Sequence, residues 1–529
     1  MSTTHHLTGK SLIGRWTVDV EDSARTFSAY DPKTGMPIEP EYYAASDLHV
    51  EQAVRSAHRA FLEYRELPNA KRAEFLRAIA TCLEQRVDAF VERVPRETAL
   101  PEPRVRGELA RTAAQMRMFA DIVKDGSWVD ARIDPAIPDR EPLPRPDCRS
   151  MLRPLGPVVV FGASNFPLAF SAAGGDTAAA LAAGCSVIVK AHSAHPGTSE
   201  LAGQAILDAA TQTGIPDGVY SVLFGSGNRV GVALVRHPLI KAVGFTGSFT
   251  GGTTIYDLAV SRDEPIPVYA EMGSVNPVVV LPEALAERTR DIAEKLHQSA
   301  MMGAGQFCTN PGLVFYDGNA EFRNTLIRFY ADTPPVCMLS ETISSAYNSG
   351  VEQLRDTKTV EPLMIRSEVL ANANVQPALV EIEAEQLAGD PTLASEVFGP
   401  LTMLVRFQSH ESLLAAVNAL PGQLTASIHA TDKDLQDFAE LLPALEFRAG
   451  RLVFGQFPTG VEVGHAMVHG GPYPATTDAR STSVGATSIL RFARPVCFQN
   501  FPDSALPEAL QQGNPLRLRR LVDGRPETT

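Results

Sequence analysis

Cysteine is scarce in this sequence of 529 residues: there are six, at positions 82, 148, 185, 308, 337 and 497, and no two form a CxxC pair. A disulfide framework and a zinc site are therefore not expected, and a reducing compartment suits a free thiol. Positive charge is also short, with 47 Lys and Arg against 61 Asp and Glu, a net charge of -14. Nucleic-acid binders ordinarily carry a basic face, so no nucleic-acid partner is expected. No apolar run approaches the roughly 18 residues that a membrane span needs, so no membrane partner is expected either. The opening MSTTHHLTGK lacks the basic and apolar stretches of a secretory signal, which points to the cytoplasm. Internal repeats and low-complexity tracts are missing too. A single simple core is excluded at this length; two large domains and a smaller element are expected.

What the chain does hold is a long alternation of strands and helices. From 47 to 97, apolar residues recur at three- and four-residue spacing, as in VEQAVRSAHRAFLEYRELP, which predicts helices. A further helix is predicted from about 102 to 124. It carries Arg111 and Arg117, for which a solvated or salt-bridged face is an equal explanation. Residues 125 to 150 hold five prolines and read as extended chain, either a linker or strands that pair elsewhere. MLRPLGPVVVFGAS then reads as one buried strand, CSVIVKAH, YSVLFG and IKAVGF as the next three, each followed by a helix. Continuous apolar strands alternating with helices predict a parallel sheet covered on both faces. Such sheets bind ligands where strand carboxyl ends meet helix N-termini. PIPVYAEMG and NPVVVL add two strands, a less regular α/β pattern follows to about 465, and a Gly/Pro-rich tail closes the chain.

The chemistry gathers around GAGQFCTNPG, where Cys308 sits among small residues that let a substrate carbon approach. A thiolate is a good nucleophile, although most such cysteines are inert packing residues. EMGS leaves Glu271 at a strand end, a candidate general base or one half of a structural ion pair. GASNFP leaves Asn165 at another strand end, where its amide can donate to an oxyanion together with the Cys308 N–H. VIVKAHSAH ends a strand with Lys190, followed by His192, Ser193 and His195 and no acid. A carboxylate there would hold a free ribose diol and repel a 2′-phosphate, so its absence, with Lys190, Ser193 and Arg229 nearby, favours NADP over NAD. The two histidines serve equally as ordinary turn residues. In GFTGSFTGG, Gly247 and Gly252 allow close backbone approach and Ser248 can meet a phosphate, though a strand-to-helix turn needs the same glycines. EVFGP offers Glu396 for ribose hydroxyls and Phe398 for a flat ring. HAMVH (465–469) lacks the glutamate of a zinc-protease helix; its histidines read as structural and no metal is expected.

Asn165, Lys190, Gly247 with Gly252, Glu271, Cys308 and Glu396 stand in the order and spacing of the aldehyde dehydrogenase superfamily, which the chain resembles from about 10 to 505. The wording FGASNFPLAFSAAGGDTAAALAAGC, KAHSAHPGTSELAG, PIPVYAEMGSVNPV and GAGQFCTNPGLV is similar to the NADP-preferring α-ketoglutaric semialdehyde (2,5-dioxopentanoate) dehydrogenases within it. The resemblance implies an α/β fold with a Rossmann-type cofactor domain (1–124 and 151–274) and a catalytic domain (275–470). It also implies a β oligomerisation flap with the tail (125–150 and 471–529), and a homodimer or homotetramer. It implies that Cys308 attacks an aldehyde and that Asn165 and the Cys308 amide hold the oxyanion of the thiohemiacetal. Hydride transfer then leaves a thioester, which Glu271 hydrolyses through water. Lys190 and Glu396 would hold the riboses, Ser248 the pyrophosphate and Arg229 a 2′-phosphate. Cofactor: NADP, with NAD weaker.

A carboxylated aldehyde calls for a cation, and Arg111 is expected to meet it. Phe166, Phe170, Phe307 and Phe457 are expected to wall the tunnel, plain core packing being their alternative. Those four rings would equally suit a broader, fatty or aromatic aldehyde dehydrogenase. A non-redox nucleotide binder or a thiol esterase is the reading from another class.

Overall fold

The computed structural model describes residues 6–19, 25–366, 368 and 370–527, so the first five residues and the last two of the tail lie outside it. Two seven-stranded sheets organise the chain. In the first, the order is Val268–Glu271, Ala242–Thr246, Val158–Phe161, Val187–Lys190, Tyr220–Leu223, Leu12–Ile13 and Trp16–Thr17. Its strands from Val268–Glu271 to Tyr220–Leu223 are parallel, and the last two form an antiparallel hairpin. Alternate residues feed different cores: Val158, Val160, Val187 and Val189 face one cluster, Val159 and Ile188 the other. Helices cover both faces, which is why these strands are largely apolar up to their carboxyl ends.

The second sheet runs Glu361–Met364, Ala378–Glu383, Leu401–Arg406, Leu313–Tyr316, Val278–Val280, Gln423–His429 and Ala449–Phe454. The same division holds there, with Val278, Val280 and Val314 on one side and Val279, Leu313 and Phe315 on the other. A third, five-stranded sheet joins Ala493–Gln499, Cys148–Pro154, Arg132–Asp134, Leu521–Val522 and Arg525–Pro526. Among the described residues, no helix is long and apolar enough to cross a membrane.

Two sequence expectations change here. The segment MLRPLGPVVVFGAS is two strands rather than one. Cys148–Pro154 pairs with Ala493–Gln499 in the third sheet, and Val158–Phe161 enters the first. The break falls at Gly156, with φ of +143°, where a Cβ would stand 2.7 Å from Lys241 Cγ; Pro157 then supplies no N–H. Nor does the whole tail lie in the third sheet. Its segment Ala475–Thr477 hydrogen-bonds along Ala270 and Met272, and Ile489 and Phe492 fill the first core. Only from Ala493 does the chain join the third sheet.

The register of the first sheet positions the site. Phe161 lies beside Lys190 and Phe245, Lys190 beside Leu223, and Thr246 beside Glu271. The strand carboxyl ends therefore finish at one level.

Candidate active site

The helix Pro282–Met301 delivers the chain to the nucleophile loop. A tight turn follows, with φ of +56°, +57° and +67° at Gly303, Ala304 and Gly305. At Gly305 a side chain would both strain the backbone and collide with the Gly399 carbonyl, so glycine is required there. The loop beyond is gripped by Asn276, which is fully buried; its amide donates to the carbonyls of Cys308 at 2.8 Å, Asn310 at 2.9 Å and Ser274 at 3.1 Å. Asn165 donates to the Gln306 carbonyl at 3.1 Å, two residues before the cysteine. The Cys308 backbone N–H makes no hydrogen bond among the described residues.

His469 stands between Cys308 and Glu271. Its Nε2 lies 3.4 Å from Cys308 Sγ and 2.8 Å from Glu271 Oε1. The Ser483 hydroxyl donates to the other oxygen of Glu271 and to the His469 carbonyl, tying the two residues together. Burial alone would raise the Glu271 carboxyl. The charge of the neighbouring His469, the Ser483 hydroxyl and Arg491 together hold it below the usual carboxylate range. The Cys308 thiol moves the other way: burial, and then the negative charge of Glu271, push it well above its ordinary value. The donor atoms of Glu271, Cys308 and His469 lie within 4.8 Å of one another, a spacing that a thiophilic ion can also use.

On the strand-end side, Lys190 is half-buried, its ammonium makes no side-chain hydrogen bond among the described residues, and burial lowers it to about 8. Behind it His192 stacks on His195, and His195 Nε2 contacts the Ala163 carbonyl at 2.8 Å, joining this loop to the one bearing Asn165. Burial, then His195 and Lys190, lower His192 well below its usual value. Ser193 follows in the same loop. Ser248 caps the helix Phe249–Val260 by accepting from Gly251 N–H. A Cβ at Gly247 would stand 2.7 Å from the Phe245 ring and one at Gly252 2.5 Å from Met272 Sδ, so the turn is closed tightly against the sheet. Glu396 is exposed as a residue, yet its carboxylate lies against Gly273, where burial pushes it up to about 7 and the Ser274 N–H opposes. Phe398 is half-buried two residues on. An unpartnered ammonium, a capped helix start and a carboxyl at the same sheet edge fit a dinucleotide. Arg229 is different: it is exposed and paired with Asp47 at 2.8 Å.

Next to Cys308, Phe307 packs edge to face on Phe166 at 5.3 Å, and Phe166 on Phe170 at 5.2 Å. Arg111 lies over Phe170 at 5.3 Å, and its Nη2 donates to the Val461 carbonyl at 3.3 Å. Phe457 is not in this group. Its ring packs 4.6 Å from His429 and, partly buried, against the core under the second sheet.

A model of the aldehyde dehydrogenase family matches residues 19–333. The chain belongs to the aldehyde dehydrogenase family. It is 50% identical over 525 residues to alpha-ketoglutaric semialdehyde dehydrogenase 2 of Azospirillum brasilense, covering 98% of this chain and 100% of that one. It is 46% identical to alpha-ketoglutaric semialdehyde dehydrogenase of Acinetobacter baylyi, over 90% of this chain and 91% of that one. Among solved structures, betaine aldehyde dehydrogenase of Staphylococcus aureus in complex with NAD+ superposes with a TM-score of 0.79 at 18% identity, covering 93% of this chain and 95% of that one. A 1-pyrroline-5-carboxylate dehydrogenase gives 0.77 at 21%, covering 93% and 92%. At these identities the structures speak for the fold alone.

In this aldehyde dehydrogenase the sequence reads His469 as structural, and the structure places it in contact with Cys308 and Glu271. Asn276 gave no signal beyond opening the apolar segment NPVVVL. His469 is 161 residues from Cys308 in the chain, and no local spacing links the two.

Proposed function

We propose that this aldehyde dehydrogenase converts an acidic aldehyde, 2,5-dioxopentanoate in the first instance, to its acid (2-oxoglutarate) with NADP. The observation that carries the reading is the contact of Cys308, His469 and Glu271 beside the row of strand ends. The names of the two relatives at 50% and 46% identity support the substrate. The missing acid after Lys190 supports NADP, with NAD weaker; Arg229 would exchange its exposed partner Asp47 for a 2′-phosphate, and exposed pairs are weakly held.

Because the Cys308 thiol is held protonated, a base has to take its proton as the carbon–sulfur bond forms. Glu271, kept ionised by its neighbours, is the base in reach, and His469 Nε2 lies between the two. Asn165 and the Cys308 N–H stabilise the oxyanion of the thiohemiacetal. Lys190, Ser248, the Gly247–Gly252 turn, Glu396 and Phe398 would hold the dinucleotide, which would supply the hydride acceptor. In the resulting thioester, water attacks the carbonyl carbon and gives a proton to Glu271; the carbon–sulfur bond breaks and Cys308 recovers its proton. Arg111 holds the substrate carboxylate, and Phe166, Phe170 and Phe307 wall its chain.

By the same reading the first sheet with residues 1–124 and 151–274 binds the dinucleotide, 275–470 is catalytic, and the third sheet joins subunits into a dimer or tetramer. The strand Ala493–Gln499 closes one edge of that third sheet, and an unpaired edge favours association.

The three packed phenylalanines favour a second reading, a broad enzyme for fatty or aromatic aldehydes. Reduced-nicotinamide formation with 2,5-dioxopentanoate, succinic semialdehyde and hexanal, each with NADP and NAD, separates the two. The highest kcat/KM for the keto-acid aldehyde with NADP supports the first reading, and preference for hexanal replaces it by the second. Thioester or ester hydrolysis without any reduction would point to an esterase.

A further inference from the structure

Two arginines project from the helix Glu102–Asp125 toward the substrate side, Arg104 and Arg111. Seven residues apart, they share one helix face at a rise of about 10.5 Å. Beneath them lies a ladder of rings. The guanidinium carbon of Arg104 is 4.4 Å from the centre of Phe166 and 4.6 Å from that of Phe307, the residue before the nucleophile. Arg104 is pinned from behind: its Nε faces Glu108 Oε2 at 3.4 Å, and the other oxygen of this buried carboxylate accepts from Leu168 and Ala169 N–H at 2.9 Å each.

The two arginines differ at their tips. Arg111 is committed to Val461 by one terminal nitrogen, and the other, Nη1, is buried without a partner. The terminal nitrogens of Arg104 make no protein hydrogen bond among the described residues, and its side chain is 22% exposed. A guanidinium held over aromatic rings makes no hydrogen bond to them, so its terminal N–H groups stay available, and those groups are what fork a carboxylate. Arginine merely packing on aromatics gives no reason for the back of the group to be fixed while the edge stays open.

We propose that Arg104 is a specificity-determining residue, binding through its free edge the carboxylate of a substrate whose aldehyde carbon meets Cys308, with Arg111 Nη1 as the inner donor. This rests on the acidic-aldehyde reading above and adds a residue to it. The aromatic platform is then a mount that aims the cation, more than an apolar wall for a long chain.

The test uses the full-length enzyme with NADP and compares wild type, Arg104→Gln and Arg104→Lys. Kinetics are measured on 2,5-dioxopentanoate and on hexanal, together with inhibition of hexanal oxidation by glutarate. Arg104→Gln is expected to raise KM for the acidic aldehyde at least tenfold more than KM for hexanal, and to raise the glutarate inhibition constant by a similar factor. Arg104→Lys, which keeps the charge and loses the fork, should recover only part of both. Equal changes with the two aldehydes, or a glutarate constant that does not move, overturn the proposal. A wild type that prefers hexanal defeats the substrate reading alone, because glutarate inhibition still reports the anion site. If Arg104→Gln does not fold, Arg104→Lys carries the test: a raised glutarate constant supports the assignment and an unchanged one refutes it.

Discussion

His469 Nε2 stands 2.8 Å from Glu271 Oε1, and both side chains are buried. The two arrive from separate directions, Glu271 at the end of a parallel strand and His469 from the tail that folds back on it. The Ser483 hydroxyl bridges them. Since the same Nε2 reaches Cys308 Sγ, one nitrogen joins the nucleophile to the carboxylate.

His469→Gln should therefore lower kcat by about 10²-fold, the low end of what a positioned acid–base group supplies. A stopped-flow record of the first turnover locates the loss. A missing burst places His469 in thiol deprotonation, and a retained burst with slow turnover places it in thioester hydrolysis. An unchanged kcat would remove it from the chemistry.

The coupling of Glu271 to Cys308 has a sign. Burial and then the Glu271 charge hold the thiol high, so Glu271→Gln removes the second cause and lowers the thiol pKa. The pH midpoint for alkylation of Cys308 by iodoacetamide should shift down while turnover falls. A midpoint that stays put or rises would contradict this electrostatic account.

Lys190 is lowered to about 8 by burial. Its charge is present below that pH and lost above it, so KM for NADP in the wild type should climb as pH passes 8. Lys190→Met should have a high KM at every pH and lose this dependence. A wild-type KM that is flat from pH 7 to 9 would count against cofactor binding by Lys190.

Ser193→Glu puts a carboxylate where the sequence has none, able to hold a ribose diol and repel a 2′-phosphate. The ratio of kcat/KM for NADP to that for NAD should fall about tenfold or more. An unaltered ratio would mean that the loop after Lys190 does not read the 2′ position.

Asn276→Ala leaves buried carbonyls of Ser274, Cys308 and Asn310 without their donor. A loss of about 2 kcal/mol or more is expected, each unsatisfied buried group costing about 1–3 kcal/mol. Urea unfolding measures it, and kcat should drop with it because the nucleophile loop loses its clamp. Unchanged stability would show that water replaces the amide.

Much of this was legible from local pattern. The strand before Lys190 and its helix, the helix start at Ser248 and the position of Glu271 at a strand end all follow from apolar runs that stop at glycine or polar residues, and Asn165 lies in the loop four residues past its strand. These are properties of neighbours in sequence, and a buried parallel strand leaves a plain mark. The split at Gly156 was hidden because both flanking segments are apolar although they serve different sheets.

The sequence by itself determined the α/β class, the strand–helix order and the residue types at the strand ends, since burial on both faces dictates composition. Only the tertiary structure decided that His469 meets Glu271 and Cys308, that Asn276 clamps the nucleophile loop, and that Phe457 turns to His429 while Arg104 turns to Phe307. Each of these is a contact between distant segments. Such contacts depend on how sheets and tail pack together, and side-chain hydrogen bonds and ring contacts made that way have no period along the chain.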